Sequence, residues 1–171
     1  MTIRPIRNDE GPVVVDLLRR SFATVAERFD LTTENCPKHV AFYTEKRFAE
    51  DIDRGMRYYL LEEEGRLCGC VALEPAKPGV VYLGRLAVLP EHRSQGFGQA
   101  LVRHVFDEAE QMGISRVEIG IIEADTNLKN WYRQFGFEST GAKTFDHLPF
   151  VVGFMAKELQ RSVSQEQTQS T

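Results

Sequence analysis

The stretch Val81–Leu101, VYLGRLAVLPEHRSQGFGQAL, decides how this chain is read. Val81, Leu83, Ala87, Val88 and Leu89 form a nearly unbroken apolar run, which fits a strand covered on both faces. Pro90 stops it. The polar link Glu91-His92-Arg93-Ser94-Gln95 follows, and Gly96-Phe97-Gly98 opens a helix that starts near Gln99. Strand, glycine turn and helix in this order present unpaired backbone N–H groups, and the positive end of a helix dipole, to an anion. Arg93 adds a full charge beside them. The stretch reads as a phosphate cradle, and the question is whose phosphates it holds.

Upstream, Thr2–Arg7 reads as a short strand, with Asn8 or Asp9 able to cap the helix that follows. That helix runs from about Pro12 to Phe29, with Val14, Leu17, Leu18, Phe22, Val25, Ala26 and Phe29 at helical spacing. A second helix is expected over Lys38–Asp53, ended by Gly55. Tyr58–Glu62 and Leu67–Glu74 form a hairpin through Glu63-Glu64-Gly65-Arg66, and Pro75–Gly79 turns into the central strand, so three strands pair antiparallel in sequence. Downstream, the glycine-turn helix ends near Gly113 and Arg116–Ile122 is a strand. A strand, crossover helix and strand of this kind should be parallel and right-handed. A short helix, Leu128–Phe135, is halted by Gly136, and Phe137–Phe145 and Phe150–Leu159 close the sheet. The order β-α-α-β-β-β-α-β-α-β-β is an α+β pattern with one parallel crossover, unlike the strict βα alternation of dinucleotide-binding folds.

The 171 residues suffice for one domain with a real core. Residues 1–160 are expected to form it, with 161–171 a disordered polar tail. A formal charge of −4 gives no general attraction to nucleic acid or acidic membranes. No apolar run is long enough to span a membrane and no signal core opens the chain, so no membrane partner and a cytoplasmic setting are expected. Cys36, Cys68 and Cys70 are odd in number and suit free thiols in a reducing compartment, with Cys68 and Cys70 on opposite faces of a strand. His39, His92, His104 and His147 do not form ligand spacing with Cys or carboxylate, so no metal is expected.

Neighbouring residues discriminate among the phosphate-binding motifs. A P-loop ends in Gly-Lys-Ser/Thr, but Gly98 is followed by Gln99 and Ala100. A Rossmann fingerprint needs a third glycine and an early position in the chain. Instead, Leu86-Ala87-Val88-x-Pro90 followed by Arg93-x-x-Gly96-x-Gly98 resembles the coenzyme A motif of the GNAT-type N-acetyltransferases. Farther on, Asn127-Leu128-Lys129-Asn130-Trp131-Tyr132-x-x-x-Gly136-Phe137 resembles the second motif of that family. The order of elements is also similar, and the likeness runs from about Ile3 to Leu159.

The resemblance implies a GNAT fold: a mixed, mostly antiparallel sheet, splayed at the central parallel pair, with helices on both faces. It implies acetyl-CoA as cosubstrate, its pyrophosphate on the backbone of Arg93, Ser94, Gln95, Gly96, Phe97, Gly98 and Gln99. Its pantetheine arm would pair as an added strand with Leu86, Ala87 and Val88, and Asn127 would complete the cofactor site. An N–H near Val88 would stabilise the oxyanion. Tyr132 matches the position that protonates the departing thiolate, a role suited to a phenol that is neutral at pH 7. Candidates for the base are Glu74, Glu118, Glu123 and His147, acting directly or through water. Trp131 is expected in the core or at the cofactor's edge, and Arg85 at the surface or in an ion pair.

The activity implied is transfer of acetyl from acetyl-CoA to a primary amine, small-molecule or peptide, by direct attack in a ternary complex. A non-catalytic acyl-CoA-binding sensor is the alternative. The acids Glu45, Glu50, Asp51 and Asp53 would either attract a cationic amine or form a solvated helix face. Phe145, Phe150 and Phe154 would line an acceptor pocket or fill the core. Pairing into a homodimer through the last strands is a further family trait.

Overall fold

A computed structural model describes residues 1–160, so the expected tail at 161–171 lies outside the described residues. Seven strands form one sheet: β1 (Thr2–Pro5), β2 (Arg57–Glu63), β3 (Arg66–Lys77), β4 (Val80–Val88), β5 (Arg116–Ile122), β6 (Glu138–Thr144) and β7 (Val151–Glu158). Their spatial order is β1-β2-β3-β4-β5-β7-β6, and only β4 and β5 run parallel. The β2–β3 hairpin turns at Glu64 (φ 51°) and Gly65 (φ 74°), two left-handed residues in succession that match the twist of the flanking strands.

Alternation in the strands fills two cores. Tyr59, Leu61, Val71, Leu73 and Val81 point to one face, where Leu101, Val102 and Val105 of α3 (Phe97–Gln111) cover them together with Tyr132 of α4 (Thr126–Arg133). Tyr58, Leu60, Cys70, Ala72 and Ala87 point to the other, under Val14, Leu17 and Leu18 of α1 (Gly11–Arg28). Helices therefore cover both faces, with α2 (Glu45–Asp53) beside α1. Cys68 and Cys70 pack on opposite faces. A two-residue spacing in a regular strand would put both on one face, but the register slips between Leu61 and Glu62 and supplies the extra step. All three cysteines are free thiols.

Helix starts differ from the sequence reading where side chains choose the cap. Neither Asn8 nor Asp9 caps α1; Pro12 occupies its first turn, and Glu10 takes the Arg7 N–H at 2.7 Å. The expected helix from Lys38 breaks into a 3-10 turn at Val40–Phe42 and α2 proper, because Thr44 adopts an extended conformation and accepts the Arg47 N–H at 3.2 Å. Asp125 likewise starts α4 two residues early by accepting the Leu128 N–H at 3.2 Å.

Candidate active site

The site originates in a defect of β4. Cys70 faces Ala87 and Ala72 faces Gly84, so Arg85 and Leu86 together oppose Val71, and Arg85 adopts φ 53°. A bulge of this kind bends and twists its strand. The parallel pairing of β4 with β5 covers only Val80, Val81 and Tyr82. Beyond Tyr82 the two strands part. Leu89 donates its N–H to Cys68 at 2.9 Å, so alternation turns the N–H and C=O groups of Val88 and Leu86 toward the open edge.

Two adjoining lobes occupy the gap, with Phe22, Val25, Leu86, Arg93 and Leu128 lining both. Phe22 and Val25 lie on the apolar stripe of α1 but line this cleft, which explains their partial exposure.

The smaller lobe, about 420 Å³, contains the glycine loop. Ser94 and Gly96 hold left-handed conformations (φ 63° and 83°) that turn the chain into α3. Among the described residues, the amides of residues 94–99 donate to no acceptor, and the first bond of α3 is Ala100 N–H to Gly96 at 3.1 Å. The two glycines serve different needs. A Cβ at Gly96 would meet nothing, so its conformation is the constraint, whereas a Cβ at Gly98 would sit 3.3 Å from the Trp131 ring. Phe97 buries its ring in the core and offers only backbone. Arg93 donates through Nε to Val88 at 3.2 Å and through Nη2 to Ser21 at 2.9 Å, clasping α1 to the end of β4 while keeping its charge beside the loop. Trp131 forms the wall against Gly98.

The larger lobe, about 600 Å³, lies between residues 83–86 of β4 and residues 119–122 of β5. Tyr132 reaches it from α4. Its ring is 5% exposed, wedged edge-on against Phe137 and Trp131, and its hydroxyl makes no hydrogen bond among the described residues. Burial raises the phenol pKa above its ordinary value of 10.0, so it stays protonated at neutral pH. Asn127 borders this lobe rather than the loop lobe.

None of the four expected base candidates lines either lobe. Glu74 and Glu118 both stand opposite Tyr82, at the closed end of the splay, where Glu74 lies 3.5 Å from Arg54 and Glu118 accepts from Arg116 at 2.9 Å. Glu123 is paired with Lys129 and packed on Gly153. His147 is exposed in its turn beside Phe145. Alternation and turn geometry place all four off the lining of the gap.

The residues that sequence reasoning missed come from the first helices and the bulge. His39, Arg28 and Arg85 line the larger lobe. His39 accepts the Ala41 N–H on Nδ1 at 3.2 Å, which leaves the ring proton on Nε2, and burial, aided by Arg47 and Arg85, lowers its pKa. Asp125 is the only acid on the lining among the described residues, and it is committed to the α4 cap. Of the three aromatic candidates, Phe150 lines the lobe and Phe145 and Phe154 do not. The acids of α2 do not reach it either. No group of three metal-ligating side chains occurs among the described residues, and no described helix is long and apolar enough to cross a membrane.

Residues 22–137 match the family model described as the acetyltransferase (GNAT) family. The chain belongs to that family. It is 33% identical over 93 residues to an amino-acid acetyltransferase of Neisseria meningitidis, a match covering 54% of this chain and 20% of that protein. The chain thus spans only part of the length of this relative. The fold is shared with a ribosomal-protein alanine N-acetyltransferase of Escherichia coli, at TM-score 0.74 and 18% identity, over 96% of this chain and 97% of that one. It is also shared with the PaiA N-acetyltransferase of Thermoplasma acidophilum in complex with coenzyme A, at TM-score 0.74 and 16% identity, over 92% and 99%. Coenzyme A fits what this chain presents: a row of free amides for its pyrophosphate, and an open strand edge for its amide-bearing arm.

Proposed function

We propose that this GNAT-family chain transfers the acetyl group of acetyl-CoA to a primary amine by direct attack within a ternary complex. One observation carries the reading: the unpaired, protonated Tyr132 borders the lobe opened by the β4–β5 splay, and that lobe adjoins the one that holds the loop of free amides. The loop amides and Arg93 hold the pyrophosphate. The exposed edge at Leu86 and Val88 aligns the thioester, and the Val88 N–H faces the developing oxyanion. The amine attacks the thioester carbon, the C–S bond breaks, and Tyr132 gives its proton to the departing sulfur. The nitrogen loses a proton to solvent and Tyr132 is reprotonated from the same source. No free carboxylate lines the lobe among the described residues, so the amine reaches the carbonyl already neutral. The acceptors printed for the relatives, an amino acid and a ribosomal-protein alanine, are both amines and support this class.

The test is acetyl-CoA turnover across free amino acids, polyamines and peptides, followed by thiol release and by the mass of the product. Intersecting initial-velocity patterns are expected. Parallel patterns with an isolable acetyl-enzyme would contradict direct transfer, and tight acetyl-CoA binding without thiol release on any amine would establish the sensor alternative.

A further inference from the structure

The larger lobe carries an uneven set of charges. Its cationic lining is Arg28, Arg85 and Arg93, against Asp125 alone among the described residues. Arg93 is spent on two backbone carbonyls at the mouth of the loop lobe. Asp125 is spent on the cap of α4 and meets Arg28 only at 3.5 Å. That leaves Arg85 and Arg28 as the remaining guanidinium groups on the lining, Arg28 sharing Asp125 with the α4 cap.

Arg85 is the more telling of them. Its Nη2 reaches Asp51 at 3.3 Å, but Asp51 also accepts from Arg54 at 2.5 Å and from the Tyr43 hydroxyl. One carboxylate therefore serves two arginines. The Arg85 Nε is sealed without a partner and Nη1 makes no side-chain hydrogen bond, while the guanidinium lies over the Tyr43 ring at 5.1 Å. A buried guanidinium with donors to spare is unfavourable until an acceptor arrives, and a carboxylate matches its planar fork. Arg28 closes the other part of the lining from the last turn of α1, its guanidinium lying over the Phe29 ring at 5.0 Å. The acidic α2, which would have drawn a cation, spends Asp51 internally and contributes nothing to the lining. The depressed pKa of His39, caused first by burial and then by Arg47 and Arg85, agrees with a positive field in this lobe.

We infer that the acceptor is a small amine that also bears a carboxylate, an amino acid in chemical class, with the carboxylate on Arg85 and Arg28 and the amine directed to the splay. This rests on the acetyl-transfer reading of the cleft. It separates that acceptor from polyamines, which the two arginines repel, and from peptide N-termini, which lack an adjacent carboxylate.

The experiment compares free amino acids with their C-terminal amides as acceptors. At least about a tenfold preference in kcat/KM for the free acid is expected, since each amide replaces a charged partner of a guanidinium by a neutral one. In Arg28→Gln and in Arg85→Lys the preference should shrink to about threefold or less, with the KM for acetyl-CoA within about twofold of its original value. Thermal melts confirm that the variants fold. Calorimetric binding of N-acetylated amino acids and of their amides to the unaltered protein with coenzyme A gives a second measure that needs neither variants nor turnover. Amides, polyamines or peptides acetylated as well as free acids would overturn the inference and leave acetyl transfer standing. Equal binding of acid and amide products would overturn it even if no amine were turned over.

Discussion

Arg85 and Asp51 meet at 3.3 Å across the interface between β4 and α2, one residue in a left-handed bulge and the other 2% exposed. The contact ties the defect that opens the cleft to the helix beside it. Tyr43 and Arg54 share the same carboxylate, and the Tyr43 hydroxyl meets that of Tyr58 at 2.8 Å. Removing the carboxylate leaves Arg85 charged and largely buried. Asp51→Ala is therefore expected to lower unfolding free energy by about 3 kcal/mol and to weaken acetyl-CoA binding, because the bulge loses its anchor. Urea unfolding with an unchanged slope measures the first effect. A loss below about 1 kcal/mol would mean that the pair does not hold the bulge.

Tyr132→Phe removes a hydroxyl that bonds to nothing in the fold while keeping the ring between Phe137 and Trp131. Stability should be unchanged. The expected loss in kcat is about a hundredfold, typical of deleting a general acid, with the acetyl-CoA dissociation constant held. Because burial holds the phenol above 10.0, no alkaline fall in kcat below that pH should trace to Tyr132. An unchanged kcat would remove Tyr132 from the reaction.

Trp131 is the sole tryptophan of the chain and borders the loop lobe, so its fluorescence should report acetyl-CoA binding. With that signal the two glycines can be separated. Gly96→Ala forces a side chain into φ 83°, a cost of about 1–2 kcal/mol, and should weaken binding by distorting the amide row. Gly98→Ala brings a methyl 3.3 Å from the Trp131 ring, so it should displace the ring and alter the emission of the free protein as well. Emission indifferent to both acetyl-CoA and Gly98→Ala would contradict this placement.

Glu10 accepts two bonds from Arg4, at 2.6 and 2.9 Å, and one from the Arg7 N–H. Arg4 is the chief cause that holds its pKa down, at about 2 against an ordinary 4.5. A carboxyl depressed in the folded state adds stability above its unfolded pKa and loses it as pH falls. The contribution of Glu10 should therefore be complete above pH 4.5 and disappear between there and about pH 2. Glu10→Gln should be less stable than the parent at neutral pH and should flatten the acid limb of thermal midpoint against pH. Parallel curves would show that the pair does not contribute.

Much of the fold was legible because its signals are local. The glycine turn after an apolar strand, the Glu63–Arg66 hairpin and the stop at Gly136 depend on conformations that few residues adopt, so a short stretch announces them. The position of Tyr132 beside the cleft was legible for a similar reason: its place in a short helix before Gly136-Phe137 belongs to a motif. The base candidates were not. Glu74, Glu118 and Glu123 stand out in the sequence as acids at strand ends near the central strand, but alternation and partners such as Arg116 and Lys129 place them off the lining of the cleft.

Contiguous residues alone settled the order of elements, the resemblance to the family and an amide row read as Arg93–Gln99, of which Arg93 drops out because its N–H donates to Pro90 at 3.4 Å. Which side chains line the larger lobe was settled by long-range packing. Arg28, His39, Arg85 and Tyr132 come from four separate places, α1, the cap of the 3-10 turn, β4 and α4, and no periodicity links them. Arg85 faces that lobe because a bulge breaks the alternation that sequence reading assumes. A one-residue step in register moves a side chain to the other face, and long-range pairing with β3, rather than any local preference, sets that step.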